Sequence, residues 1–172
     1  MMETEYIKVA FGGSCHWCTE AIFHSLVGVY KVEQGFVAPA EHPEDYSEAV
    51  VVYFNPLEIT LKTLIEIHLR THSSTKIHSR RGDYRSAVYT FSAVQEQEAL
   101  DLLRELQNLF EEKIITKVIP FGAFSLSKEA FLNYYYSDPE KPFCKNYIDP
   151  KLKILLHEFS CFTKKEKLQH LK

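Results

Sequence analysis

The sequence predicts an α+β domain of two layers: a ferredoxin-like, split βαβ core followed by a long irregular C-terminal tail. Three observations carry that expectation. Extended and helical patterns follow one another as β-α-β-β-α-β over the first 91 residues, and the two middle strands are joined by a loop, as in a hairpin. The chain has 172 residues, 45% of them hydrophobic, which suits a single domain spanning residues 1–172 with one core.

The elements follow in order. Residues 6–11 (YIKVAF) read as a buried strand; Gly12-Gly13-Ser14 breaks it, and Trp17, Ala21, Ile22 and Leu26 then recur at helical spacing up to Gly28. Residues 29–37 and 47–54 (SEAVVVYF) read as strands on either side of a Pro- and acid-rich loop. In residues 58–71, Ile59, Leu61, Leu64, Ile65 and Leu69 share most of one helical face, and a polar loop from His72 to Asp83 leads to a fourth strand over 85–91. A long amphipathic helix over 92–113 and a short strand near 115–120 extend this core. Beyond it, Asp138-Pro139, Lys141-Pro142 and Asp149-Pro150 favour turns, a final helix begins near Lys151, and Lys164 to Lys172 reads as a solvated, frayed end.

Charge and composition exclude several classes of function. Twenty Lys and Arg against 23 Asp and Glu give a formal net charge of -3, the wrong field for a polyanion, so no nucleic-acid partner is expected. The N-terminus lacks a basic-then-apolar leader, and no segment approaches the roughly 18 apolar residues of a membrane span. The expectation is a cytoplasmic protein with no membrane partner. Four cysteines, Cys15, Cys18, Cys144 and Cys161, are few for a disulfide scaffold in a chain of this length and suit reactive or metal-bound thiols better.

Phe11-Gly12-Gly13-Ser14-Cys15-His16-Trp17-Cys18 places Cys15 in the first turn of a helix, where free backbone N–H groups and the positive end of the helix dipole favour a thiolate. A depressed Cys15 pKa is therefore expected. Cys18 follows three residues on, close to the same helix face, so a dithiol or disulfide with Cys15 is sterically conceivable. A zinc site would need two further ligands, yet there is no second C-x-x-C, and His68 and His72 lack the glutamate of H-E-x-x-H. Neither a metal nor a cofactor is expected.

The run FGGSCHWCTEAIF resembles the G-C-F-W-x-x-E signature of A-type peptide methionine sulfoxide reductases, including a variant with cysteine where this chain has Cys18. Ser47-Glu48-Ala49-Val50 resembles the G-H-A-E-x-V strand, Tyr84-Arg85-Ser86-Ala87-Val88-Tyr89 the Y-R-S-A-I-Y strand, and Pro142-Phe143-Cys144 with Ile148, Pro150 and Lys151 the P-Y-C…I-x-P-K tail. These pieces stand in family order across most of the chain.

The resemblance implies reduction of methionine S-sulfoxide, free or in proteins, with Cys15 as the nucleophile, Glu48 as the acid and Tyr84 hydrogen-bonding the sulfoxide oxygen. Trp17 and the residue at position 16 would wall the substrate methyl group. The resulting sulfenic acid must condense with a second thiol before an external reductant restores the enzyme. Cys18, Cys144 and Cys161 are the resolving candidates, and the resemblance implies a thioredoxin-type reductant. Alternation along residues 47–52 leaves open which face Glu48 occupies.

The chain also departs from the pattern. His16 stands where the family has Phe, Tyr46 where G-H-A-E has His, Ser79 where an Asp precedes Tyr84, and Ser127 to Leu132 replaces an A-E-x-Y-H-Q segment. His16 and Tyr46, with Trp17, are thus the expected walls of an altered substrate pocket. Two other readings use the same cleft: a non-catalytic metal- or peptide-binding module, and a general dithiol oxidoreductase.

Overall fold

Side chains along a strand alternate between two faces, and here both faces of the strands are apolar. Val50, Val52 and Phe54 pack in one cluster with Val9, Phe11 and the helices, while Ala49 and Val51 belong to a second cluster with Ala10, Val37, Ala87 and Tyr89. A sheet with two buried faces needs two covers. Helices supply one, and the sheet supplies the other by closing on itself.

The computed structural model describes residues 6–76 and 83–171. Its strands are β1 (Ile7–Gly12), β2 (Val29–Pro39), β3 (Ser47–Phe54), β4 (Ala87–Thr90) and β5 (Lys117–Leu126), and its α-helices are α1 (His16–His24), α2 (Leu61–Thr71), α3 (Ala93–Leu106), α4 (Tyr134–Ser137) and α5 (Asp149–Glu158). The strands form a closed barrel in the order β1-β3-β2-β5-β4, with β1 returning to pair with β4. β4 and β5 run parallel, and every other pairing is antiparallel.

This closure corrects the expected two-layer ferredoxin-like sandwich. The stretch expected as a short strand near 115–120 is the ten-residue β5, which joins the β2 edge to the β4 edge and removes both edges at once. Close approach at that seam requires Gly35: a Cβ there would lie 2.1 Å from the carbonyl oxygen of Ser125. Small side chains such as Ala10, Ala49 and Ala87 turn into the narrow barrel, and the larger Val9, Phe11, Val50 and Val88 lie under the helices.

Two helices have conventional starts. Thr60 Oγ1 accepts from the Thr63 N–H at 3.2 Å to begin α2, and Ser92 Oγ accepts from the Gln95 N–H at 3.1 Å to begin α3. α2 then buries Leu64, Ile65, Ile67 and Leu69 almost completely, so truncating one of them to Ala would cost about 2–5 kcal/mol. α1 starts differently: Cys15 occupies its N-cap and makes no side-chain capping hydrogen bond among the described residues.

The tail is ordered through residue 171 rather than frayed. Cys144–Ile148 forms a π-helical turn running directly into α5, with Pro150 in the first turn where its missing N–H does no harm. Leu168 is fully buried, the Lys164 N–H donates to Ser25 O at 2.7 Å, and Tyr135 OH lies 2.6 Å from His170 Nε2. Among the described residues no helix is long and apolar enough to cross a membrane.

Candidate active site

β1 ends at Gly12, and Gly13, at φ +151°, turns the chain into α1. A side chain at Gly13 would meet the His72 ring at 2.5 Å, so the turn lies tight against the end of α2. Its product is Cys15, half-buried at the start of α1, with Cys18 buried one turn on. Both Cys18 N–H and Thr19 N–H donate to Cys15 O, at 3.0 and 3.2 Å, which closes the first turn and fixes the two thiols on one side.

The two thiols, one helical turn apart, act on one another's protonation. The Cys15 pKa is pushed up, first by its hydrogen bond with Cys18, then by burial and by the charges of Cys18 and Glu48, although the Trp17 N–H eases it downward. The Cys18 pKa is pulled down, chiefly by the Cys15 hydrogen bond, with help from the Lys151 ammonium. The expectation of a depressed Cys15 pKa is therefore reversed in the resting protein. Helix-end N–H groups do favour a thiolate, but at Cys15 the neighbouring thiol and burial outweigh them.

β3 aims Glu48 at this helix end. Glu48 shares the face of Val50 and Val52, the face covered by helices, which resolves the direction that alternation left open. Its Oε1 lies 3.4 Å from the His16 N–H donor and 3.2 Å from His16 Nε2. A carboxylate from another strand thus takes the place of the missing N-cap acceptor.

His16 turns away from Trp17. Its Nδ1 lies 2.9 Å from Gly35 O, and its ring meets Phe36 edge-on at 5.2 Å, whereas the His16 and Trp17 centroids are 6.3 Å apart. Trp17 instead stacks on Tyr134, with centroids 4.0 Å apart and planes within 7°, and meets Phe143 edge-on at 5.4 Å. Glu20 holds this wall in place: its carboxylate accepts from Gln34 Nε2 at 2.9 Å, Asn133 N–H at 3.1 Å and Tyr134 N–H at 3.2 Å. Burial still pushes the Glu20 pKa up against those donors.

A cavity of about 780 Å³ opens beside Cys15, lined also by Tyr84, Phe143, Tyr147, Lys151 and His72. Of the expected site residues, Cys15 and Tyr84 line this cavity, while Cys18, Glu48, His16 and Trp17 lie beside Cys15 at the start of α1 without lining it. Cys144 is fully buried in the cluster that also contains Cys18, and burial raises its pKa. Two expected site residues are elsewhere. Tyr46 is 43% exposed ahead of β3 and does not line this cavity, and the exposed Cys161 sits beside Phe162 at the opposite end of α1, where the Val27 N–H donates to Phe162 O at 2.7 Å. Ser79 lies outside the described residues.

Sequence reasoning assigned no role to Glu20, Phe143 or Lys151, although all three fall inside the motifs. Tyr134 was legible only as one of three adjacent tyrosines. The signal for Glu20 was its place as the closing residue of the G-C-F-W-x-x-E match, and its burial is what calls for the donors around it.

A barrel-rim thiol pair, a nearby carboxylate and an aromatic wall define a thiol-dependent redox enzyme. Residues 7–161 match the family described as Peptide methionine sulfoxide reductase. Peptide methionine sulfoxide reductase MsrA of Deinococcus radiodurans is 32% identical over 84% of this chain and 78% of its own length. Among solved structures, reduced Mxr1 from Saccharomyces cerevisiae superposes with a TM-score of 0.71 at 21% identity, covering 85% of this chain and 93% of that one. Mxr1 in complex with Trx2 superposes with a TM-score of 0.58 at 22% identity, covering 78% and 90%. The chain belongs to the peptide methionine sulfoxide reductase family, and its activity is the thiol-dependent reduction of methionine sulfoxide.

Proposed function

We propose that Cys15 attacks the sulfur of methionine S-sulfoxide, free or peptide-bound, in the cavity beside α1, with Glu48 delivering the proton that the sulfoxide oxygen needs. The observation that carries this reading is the convergence of two thiols one turn apart and a carboxylate at one uncapped helix start. As Cys15 Sγ bonds to the substrate sulfur its thiol proton is released, and the Glu48 proton goes to the sulfoxide oxygen. The substrate sulfur–oxygen bond then breaks as the hydroxyl passes to Cys15 Sγ, and the bond between Cys15 Sγ and the substrate sulfur is given up, leaving Cys15 as the sulfenic acid, Glu48 as a carboxylate that the released proton restores, and the product as methionine. Tyr84, on the same cavity, donates to the sulfoxide oxygen.

Cys18 then displaces hydroxide from the sulfenic sulfur, its own proton completing the water that leaves, and the Cys15–Cys18 disulfide remains. An external dithiol reduces it by exchange, returning both thiols and becoming a disulfide itself. A thioredoxin-type protein fits that role, a reading supported by the structural likeness to Mxr1, which has been solved with Trx2. A reducing compartment, the cytoplasm, suits a cycle that must return to free thiols. In single-turnover assays with dithiothreitol, Cys15→Ser should form no methionine from the S epimer. Substantial turnover by that variant would reject Cys15 as the nucleophile.

A further inference from the structure

The cavity beside Cys15 is lined by charge of one sign. Among the described residues on its wall, Arg70 and Lys151 are the cationic side chains and there is no Asp or Glu, in a chain whose formal net charge is -3. The two cations are not equivalent. Arg70 is already engaged: its Nε lies 3.9 Å from Glu66 Oε1, and its guanidinium carbon stands 5.5 Å from the centre of the Phe110 ring. Lys151, half-buried in the first turn of α5, makes no hydrogen bond and no ion pair with a carboxylate among the described residues.

That placement is unfavourable on three counts. The N-terminus of a helix repels a cation. The acid in the same turn, Asp149, accepts from Tyr135 OH at 2.6 Å rather than meeting the ammonium. Burial pushes the Lys151 pKa down, and only the charges of Cys18 and Cys15 work the other way. An apolar side chain would fill the wall without these costs. An ammonium partly withdrawn from water, with no fixed carboxylate beside it, is stabilised when one arrives.

We propose that Lys151 is a specificity-determining residue that holds a carboxylate borne by the substrate close to its sulfoxide. The inference rests on the reading of this cavity as the place where Cys15 meets the sulfoxide. Cys15 and Lys151 line the same cavity within electrostatic reach of one another, and a short flexible chain joins the sulfur of methionine sulfoxide to its α-carboxylate, so one molecule can engage both. Two substrates offer that chemistry. Free methionine S-sulfoxide presents its α-carboxylate, and a polypeptide presents the side chain of an Asp or Glu next to the oxidised methionine.

The test compares kcat/KM, with dithiothreitol as reductant, for N-acetyl-methionine S-sulfoxide, its neutral N-methylamide, and acetylated, amidated tripeptides in which the oxidised methionine is followed by Glu or by Gln. The intact protein should favour the acid over the amide, or the Glu peptide over the Gln peptide, by about tenfold, chiefly through KM. The first preference identifies the α-carboxylate as the bound group, the second an acidic neighbour. Lys151→Met and Lys151→Gln should each abolish the preference, and Lys151→Arg should keep most of it. Either neutral variant suffices if the other folds poorly. Three results would overturn the inference: no preference in the intact protein, a preference that survives in the neutral variants, or equal losses for charged and neutral substrates, which would assign Lys151 to the thiols instead. None of these touches Cys15 as the nucleophile, a reading that fails only if Cys15→Ser still reduces the neutral amide.

Discussion

The two ends of α1 are built on opposite terms. At its start, Cys15 caps nothing, the nearest carboxylate comes from β3, and a cavity opens to the side. At its far end the helix closes on itself and on the tail: Ser25 Oγ bonds Ala21 O at 2.6 Å and Tyr136 OH at 2.5 Å, Ser25 O accepts from Lys164 N–H at 2.7 Å, and Val27 N–H donates to Phe162 O at 2.7 Å. Each end has a cysteine beside it, Cys15 at one and Cys161 at the other. A helix terminus whose polar groups are satisfied internally gives stability, and one whose groups await a partner can give chemistry.

The largest effect should come from breaking the open end. Glu48→Gln removes the proposed acid, and general acids contribute about 10²–10⁴-fold, so methionine formation in a single turnover should slow by that order while Cys15 remains alkylatable. A change below about threefold would assign Glu48 to structure alone.

The closed end should reveal itself in stability. His24, in the last turn of α1, has its pKa lowered to about 4 by burial and by the neighbouring Lys167 and Lys164 charges. A helix C-terminus favours a cation by about 0.3–1 kcal/mol, so here burial and the lysines win. Above pH 6.5 both folded and unfolded forms carry neutral His24. As pH falls below 6.5 the unfolded chain takes up a proton that the folded protein refuses until about pH 4, so stability declines across that window. The loss approaches about 3 kcal/mol. Denaturant titrations at pH 7 and pH 4.5 should show a smaller difference for His24→Gln than for the intact protein. The same difference in both would place the pH dependence elsewhere.

A smaller effect is expected from Tyr136→Phe, which removes the partner of Ser25 Oγ and should lower stability by about 1 kcal/mol without changing the single-turnover rate. A variant that lost activity in proportion to stability would mean that the two ends of α1 are not independent.

What could be read from the sequence followed distance along the chain. Cys15, Trp17 and Cys18 lie within four residues of a strand-to-helix turn, so local patterning and motif were enough to bring them out. Glu48 was legible by motif, but its direction depended on knowing that Val50 and Val52 lie under the helices. The continuous apolar run of β3 did hold a sign of burial on both faces, and with it of barrel closure. The strand expected near 115–120 runs on through Pro120 and Gly122 to Leu126 along the seam with β2. Tyr134 reaches Trp17 from far along the chain through Glu20, a contact for which no local pattern exists. Leu168 and His170 looked like a frayed end because the cavities that receive them are made by other elements.

The central claim is that both redox thiols belong to the open end of α1. One equivalent of methionine S-sulfoxide, added to reduced protein with no dithiol present, followed by alkylation and peptide mapping, tests it most directly. A disulfide joining Cys15 to Cys18, with Cys144 and Cys161 alkylated, is the predicted result. A disulfide from Cys15 to Cys144 or Cys161, or a persistent sulfenic acid on Cys15 with Cys18 alkylated, would contradict it.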